Sequence, residues 1–226
     1  MKNRWHNILF PRLCVVCEQT LLDDETVFCR HCSTALPRTN FHFDQHSAAC
    51  QRFFGKTSIE RCACYCYFEQ GSPIRHAIHQ LKYHHRGDIA QSLAYSFAQE
   101  LKQAHWPDDI DCIIPVPIHW AKQLQRGYNQ SHLIARGIQK SWHLPIKKRL
   151  IYRSRYTASQ THKNLYERSN NITHAIRPRS HKQHPYQHIL LVDDVLTSGA
   201  TLIACSEALQ AIKPVKISIF TLGFAE

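Results

Sequence analysis

Residues 188–201 read HILLVDDVLTSGAT, an apolar run that ends in Asp193 and Asp194 and then a small, hydroxyl-rich turn. The run has the length of a buried strand, and strand-like and helix-like segments alternate along the chain from about residue 65. This alternation predicts an α/β fold in which a mainly parallel sheet carries helices on both faces. Two adjacent carboxylates repel each other unless a donor, a cation or a ligand lies between them. The stretch therefore predicts a strand that ends in a binding site.

The turn after the aspartates has the composition of a phosphate site. In an open α/β sheet, ligands bind at the carboxyl ends of the strands, and the free N–H groups at the start of a helix favour an anion. Gly199 permits close backbone approach, while Thr197, Ser198 and Thr201 add hydroxyl donors. The two carboxylates can accept hydrogen bonds from a vicinal diol or hold a divalent ion. A phosphate below a diol describes a ribose 5-phosphate, the alternative being a strand and turn with incidental acids.

The remaining elements follow from periodicity. Strands are predicted at CYCYF (64–68), DCIIPVPI (111–118), KKRLIYRSR (147–155) and VKISIFTLGFA (215–225). Helices are predicted at 73–84, 88–104, 119–141 and 200–212. Eight of the ten cysteines lie in the first 66 residues, so we divide the chain into a cysteine-rich module (1–64) and an α/β domain (65–226).

Two CxxC pairs, Cys14/Cys17 and Cys29/Cys32, stand eleven residues apart in the module. A CxxC turn aims two thiolates at one point, and two such turns complete the closed tetrahedral shell of a structural Zn²⁺ site. So short a segment holds little core, and the metal would stabilise its fold. The alternative is four buried or redox-active thiols, and His31 within the second pair is a bystander.

A second group of cysteines, Cys50, Cys62, Cys64 and Cys66, suggests a further metal site. The group is irregular because Phe53 stands where a cysteine would complete a CxxC pair with Cys50. The alternative is that Cys64 and Cys66 point inward from the first strand of the sheet.

The charge is strongly basic: 28 Lys and Arg against 17 Asp and Glu give a formal net charge of +11. This balance favours a polyanionic partner, either nucleic acid or a phosphorylated substrate, although it also serves solubility alone. The N-terminal residues lack the apolar core of a signal peptide, and no run reaches the roughly 18 apolar residues that cross a bilayer. We therefore expect a cytoplasmic protein without membrane insertion.

Residues 188–201 resemble the phosphoribosyl pyrophosphate (PRPP) fingerprint of type I phosphoribosyltransferases. The segments IIPVPIHWAKQLQRGYNQS (113–131) and RSRYTASQTHKNLYERSNNITHAI (153–176) resemble stretches of the ComF/GntX family. That family comprises phosphoribosyltransferase-like proteins linked to DNA uptake and natural competence, with an N-terminal zinc module. The resemblance implies a double-zinc-ribbon-like module over 1–64 and a type I phosphoribosyltransferase-like domain over 65–226.

The same resemblance implies roles for individual residues. Asp193 and Asp194 would bind the PRPP ribose, directly or through Mg²⁺. The loop would cradle the 5-phosphate through Thr197, Ser198, Gly199, Ala200 and Thr201. Arg126 would contact the pyrophosphate, with Asn129 and Gln130 as hydrogen-bonding neighbours and Lys82 as a further cation.

Residues 153–171 lie where type I phosphoribosyltransferases keep a flexible catalytic loop that closes over PRPP and excludes water. The cations of this segment are Arg153, Arg155, Lys163 and Arg168. Gln160, Arg168 and Asn171 match family positions, Gln160 as a PRPP ligand and Arg168 as a catalytic cation. The alternative is a mobile surface loop.

Two functions fit this set of residues. An enzyme would displace pyrophosphate from C1 of PRPP with a nitrogen nucleophile, and the sequence does not specify the acceptor. A non-catalytic adaptor would bind PRPP or single-stranded DNA for cytoplasmic DNA-uptake proteins. A redox protein that uses its CxxC pairs is a third interpretation.

Overall fold

The computed structural model describes residues 11–154, 175–180 and 184–226. Its centre is a four-stranded parallel sheet in the order β1-β6-β5-β2, and a short antiparallel pair, β3-β4, lies apart from it. The strands are β1 (Arg61–Tyr67), β2 (Cys112–Pro115), β3 (Ile151–Arg153), β4 (Ile176–Pro178), β5 (His188–Leu196) and β6 (Lys216–Phe224). The predicted parallel sheet is confirmed.

Helices cover both faces of this sheet, as predicted. They are α1 (Arg30–Thr34), α2 (Ala48–Gln51), α3 (Pro73–Tyr83), α4 (Gly87–Gln103), α5 (Trp120–Arg126), α6 (Gln130–Trp142) and α7 (Ala200–Gln210). Alternation along β5 assigns its side chains to two cores. Leu190 and Val192 join the core under α3, α4 and α6, whereas Ile189 and Leu191 join the core under α7. None of the helices that the structure describes has the length and apolarity to cross a membrane.

Several predicted elements differ in extent, among them the strand predicted over 111–118, of which only β2 forms. The helix predicted over 119–141 is two helices, because Gly127 (φ 76°) ends α5 and the Asn129 side chain caps α6 by accepting the Ser131 N–H. The strand predicted over 147–155 is limited to β3. The strand β1 begins at Arg61, so the sheet starts four residues before the boundary that we predicted at residue 65.

The helices α4 and α6 pack in close contact at Gly137. A Cβ atom at this position would lie 2.4 Å from the carbonyl oxygen of Gln91 and 2.8 Å from the Ala94 Cβ. Both neighbours belong to α4, and one of them is backbone, so relief requires the two helices to move apart. Gly137 therefore sets the distance between α4 and α6, and α6 is the helix that carries Ser131.

Gly137→Ala is expected to destabilise the protein by about 1–3 kcal/mol, the usual range for overpacking, although alanine favours an isolated helix. For a domain of this size, that corresponds to a fall in melting temperature of about 2–4 °C per kcal/mol. Thermal unfolding followed by circular dichroism measures the shift. The exposed Lys140→Ala in the same helix is the control, and equal stability of Gly137→Ala and the native protein would contradict the packing argument.

Candidate functional site

The two aspartates lie at the carboxyl edge of the sheet. The last residue pair between β2 and β5 joins Pro115 to Val192, while β5 continues beside β6 as far as the pair Leu196 and Phe224. Asp193 and Asp194 are therefore the first residues of β5 beyond the end of β2.

Each aspartate has its own partner in the protein. The Ser131 hydroxyl, at the start of α6, donates to Asp193 Oδ1 at 2.9 Å. The Lys82 ammonium, near the end of α3, lies 2.8 Å from Asp194 Oδ2. Burial, and secondarily the charge of Asp194, raises the pKa of Asp193 to about 7. The Ser131 hydroxyl and the Lys82 ammonium thus offset part of the repulsion between the two adjacent carboxylates.

The turn from β5 into α7 keeps the backbone that a phosphate loop requires. Gly199 has a φ of 77° and caps α7, whose first residues are Ala200 and Thr201. Thr197 and Ser198 are exposed. A Cβ atom on Gly199 would lie 3.3 Å from the Phe53 ring, so the module packs directly against this turn. The phenylalanine that replaces an expected cysteine is therefore a support for the loop.

The three residues predicted around the pyrophosphate have different surroundings. Arg126 is half-buried at the end of α5. The Asn129 amide donates to the Val116 carbonyl at 3.0 Å and accepts from the Ser131 N–H, so it joins β2 to α6. Gln130 is only 3% exposed, and its Nε2 has no hydrogen-bond partner in the part of the chain that the structure describes. Asn129 therefore positions Ser131, and the buried Gln130 amide nitrogen has a hydrogen to donate that no described residue accepts.

Cations gather at this edge. Burial lowers the pKa of Lys122 first, and repulsion from Arg153, Arg126 and Lys82 lowers it further. Burial also lowers the pKa of Arg153 on β3. Such a group stabilises a multiply charged anion. Lys122 escaped the sequence prediction, although its position one helical turn before Arg126 indicates the same face.

Ser131 also escaped the sequence prediction. It lies two residues after Asn129 in a segment whose family resemblance was recognised, but only the helix start brings its hydroxyl to the strand β5. The predicted loop residues Arg155, Gln160, Lys163, Arg168 and Asn171 lie outside the described residues.

The first cysteine group converges as predicted. The Sγ atoms of Cys14, Cys17, Cys29 and Cys32 all lie within 4.8 Å of one another, with 3.6 Å between those of Cys17 and Cys29. Sulfur atoms around a tetrahedral Zn²⁺, with Zn–S bonds of about 2.3 Å, stand about 3.8 Å apart. Burial alone would raise the pKa of Cys14, but backbone N–H groups outweigh burial and lower it to about 6. These four residues could hold a metal ion.

Glu25 braces this cluster. Its carboxylate accepts the N–H groups of Leu22 and Arg30, both at 2.7 Å, and so ties the segment after the first CxxC pair to the start of α1, which carries Cys32. The sequence does not indicate this role, because an acidic residue between two CxxC pairs has no distinctive spacing.

The second cysteine group is not brought together. Cys50, Cys62 and Cys64 belong to the core under α7, while Cys66 belongs to the core on the opposite face of the sheet. The Cys62 thiol donates to Cys50 and lowers the pKa of Cys50 to about 6. Among the described residues, the first four cysteines are the only cluster with metal-ligand geometry. Cys64 and Cys66 point inward from β1, which was the alternative interpretation.

Asp193→Asn is expected to stabilise the ligand-free protein at neutral pH and above. The native state holds the Asp193 proton up to about pH 7, whereas the unfolded carboxyl group loses it near pH 4. The free energy of unfolding therefore falls as the pH rises between these values, and asparagine removes the loss. Melting temperatures of the native protein and of Asp193→Asn from pH 4 to pH 8 measure this difference in stability. Asp23→Asn, at a fully exposed side chain, is the control, and a pH-independent difference would contradict the burial of this charge.

Fold and site together define an α/β protein with a cation-rich sheet edge and an appended cysteine module that could hold a metal ion. Competence protein F of Haemophilus influenzae is 26% identical over 94% of this chain and 90% of its own. DNA utilization protein YhgH of Escherichia coli K12 is 28% identical over 87% and 83%. Competence protein ComFC of Bacillus subtilis is 25% identical over 66% and 59%. These similarities support the ComF family resemblance that the sequence indicates.

No family model matches the chain. A solved purine phosphoribosyltransferase from Pyrococcus horikoshii Ot3 covers 59% of this chain and 80% of its own, with 15% identity and a TM-score of 0.30.

Proposed function

We propose that the protein binds PRPP with Mg²⁺ at the carboxyl edge of its sheet and acts in the uptake or processing of incoming single-stranded DNA in the cytoplasm. The observation that carries the proposal is the succession of an aspartate pair and a glycine-capped helix start on the central strand β5. The relatives named for competence and DNA utilization support the biological context.

Each part of PRPP has matching chemistry in this arrangement. The N–H groups at the start of α7 and the hydroxyls of Thr197 and Ser198 suit the 5-phosphate. Asp193 and Asp194 suit the ribose diol, with Ser131 holding Asp193 in place. Lys82, Lys122 and Arg126 suit the pyrophosphate. The ligand-free pair of Lys82 and Asp194 keeps both charges partnered until the ligand arrives.

Two metals complete the proposal. Carboxylates and phosphate oxygens are the ligands that Mg²⁺ prefers, and Mg²⁺ supplies positive charge against the departing pyrophosphate when it is bound. Four thiolates without an open position suit a structural Zn²⁺. Asp193 and Asp194 would meet the first metal, and the two CxxC pairs would hold the second.

A pyrophosphate-release assay separates an enzyme from an adaptor. The protein is incubated with PRPP, Mg²⁺ and a set of nitrogen acceptors, and Asp193→Asn is the matched control. A phosphoribosyltransferase releases pyrophosphate with at least one acceptor, and the variant abolishes turnover. An adaptor binds PRPP, but it releases pyrophosphate no faster than Asp193→Asn does. A protein that neither releases pyrophosphate nor binds PRPP would contradict both forms of the proposal.

A further inference from the structure

A cavity of about 510 Å³ opens between the end of β2 and the β3-β4 pair. Its size lies within the range of about 300–1,000 Å³ that is typical of ligand pockets. Residues 117–118, α5 and the start of α6 form one side, and residues 148–153 with Arg179 form the other. Residues 193–201, which include the aspartate pair and the phosphate turn, do not line it. Asn129 and Arg153, which the cavity shares with the pyrophosphate side, make it a neighbour of the proposed PRPP site and distinct from the aspartate pair and the phosphate turn.

Aromatic rings supply much of the cavity wall. Trp120 is 71% exposed although it is a large apolar side chain. The Tyr128 hydroxyl donates to the Leu81 carbonyl, which fixes its ring. The Arg179 guanidinium lies 5.4 Å from the centre of the Tyr152 ring. The exposed Trp120 ring and the half-buried rings of Tyr128 and Tyr152 suit a flat, unsaturated ring, because bases stack on aromatic and guanidinium planes.

The charge of the wall is positive. Lys148 and Arg179 are exposed, Arg153 lies beside them, and the described residues that line the cavity include neither Asp nor Glu. His132 lines the cavity with an Nδ1 that has no hydrogen-bond partner within the described ranges. Its pKa is lowered by burial and then by Lys148 and Arg136. The wall therefore suits an anion and offers an unused imidazole nitrogen.

We propose that this cavity binds one nucleotide of single-stranded DNA, with the base against Trp120 and Tyr152 and the neighbouring phosphates on Lys148 and Arg179. The inference deepens the proposed role in DNA uptake and rests on it for the choice of DNA over RNA. A sugar phosphate such as PRPP has no flat, unsaturated ring that could stack on the aromatic walls. A duplex keeps its bases stacked and paired, so the exposed base of a single strand fits better.

Binding of a short fluorescein-labelled oligothymidine, followed by fluorescence anisotropy at several salt concentrations, tests this site. Trp120→Ala is expected to weaken binding about tenfold, in line with the loss of one base stack. Arg179→Glu is expected to weaken it and to reduce its salt dependence, since a phosphate contact is lost. The controls are Phe54→Ala, an aromatic 88% exposed on the module, and Lys216→Glu, at the opposite end of the sheet. Both controls should bind as the native protein does.

The outcomes distinguish this site from the PRPP site. Trp120→Ala and Arg179→Glu should keep native PRPP affinity, and Trp120 is exposed enough that its loss leaves the core intact. Native affinity for the oligonucleotide in both variants, or no binding by the native protein, would overturn the inference. Equal competition by thymidine monophosphate at matched nucleotide concentration would overturn it in favour of a mononucleotide site. If the native protein binds the oligonucleotide but does not bind PRPP, the PRPP proposal alone is rejected.

Discussion

Asp194→Asn is expected to weaken the binding of PRPP with Mg²⁺ by at least about 100-fold. Each hydrogen bond to a charged group contributes about 1.5–3 kcal/mol, and a ribose diol makes two with one carboxylate. Isothermal titration calorimetry of native and variant protein gives the two dissociation constants.

Asp108→Asn provides the control for this prediction. Asp108 has an exposed carboxylate that partners His105, away from the carboxyl edge of the sheet, so its loss should leave PRPP affinity unchanged. Lys82→Met adds a second arm, because it removes the cation and leaves Asp194 in place. Native affinity in Asp194→Asn would show that this carboxylate does not meet the ribose.

Cys29→Ser is expected to abolish metal binding by the module and to unfold it. The native protein should carry one Zn²⁺ per chain in the reduced state. A structural Zn²⁺ contributes about 10–16 kcal/mol in small zinc domains, more than the apolar contacts of so short a segment can replace. Metal analysis by mass spectrometry and limited proteolysis between residues 11 and 40 measure the two effects.

Cys50→Ala is the control because Cys50 lies with Cys62 outside the four-thiol cluster. It should keep one Zn²⁺ per chain. Two Zn²⁺ in the native protein, with one lost in Cys50→Ala, would establish the second site that the sequence suggests and that the geometry does not assemble. A native protein without bound metal would contradict the account of the first site.

The parts of the structure that were predictable are those encoded over short distances. The run at 188–201 specifies a buried strand, an acidic end and a glycine turn, because alternation and the left-handed preference of glycine act locally. Each CxxC turn likewise brings its own two thiols together. Each of these features depends on residues only a few positions apart.

The features that escaped prediction depend on long-range packing. Ser131 reaches Asp193 across 62 positions of sequence, and this contact exists because Asn129 ties the start of α6 to the end of β2. Phe53 supports Gly199 because the module folds against α7. Cys66 packs in a different core from Cys62 and Cys64, although alternation along β1 would place all three on one face, so spacing alone does not reveal the separation.

Calorimetric titration of the purified native protein with PRPP and Mg²⁺, beside ribose 5-phosphate and pyrophosphate titrated separately, tests the central claim most directly. The account predicts saturable binding of PRPP at one site per chain, tighter than either fragment and dependent on Mg²⁺, because the phosphate turn, the aspartate pair and the cations each hold one part of the ligand. Absence of PRPP binding by the folded, metal-loaded protein would contradict it.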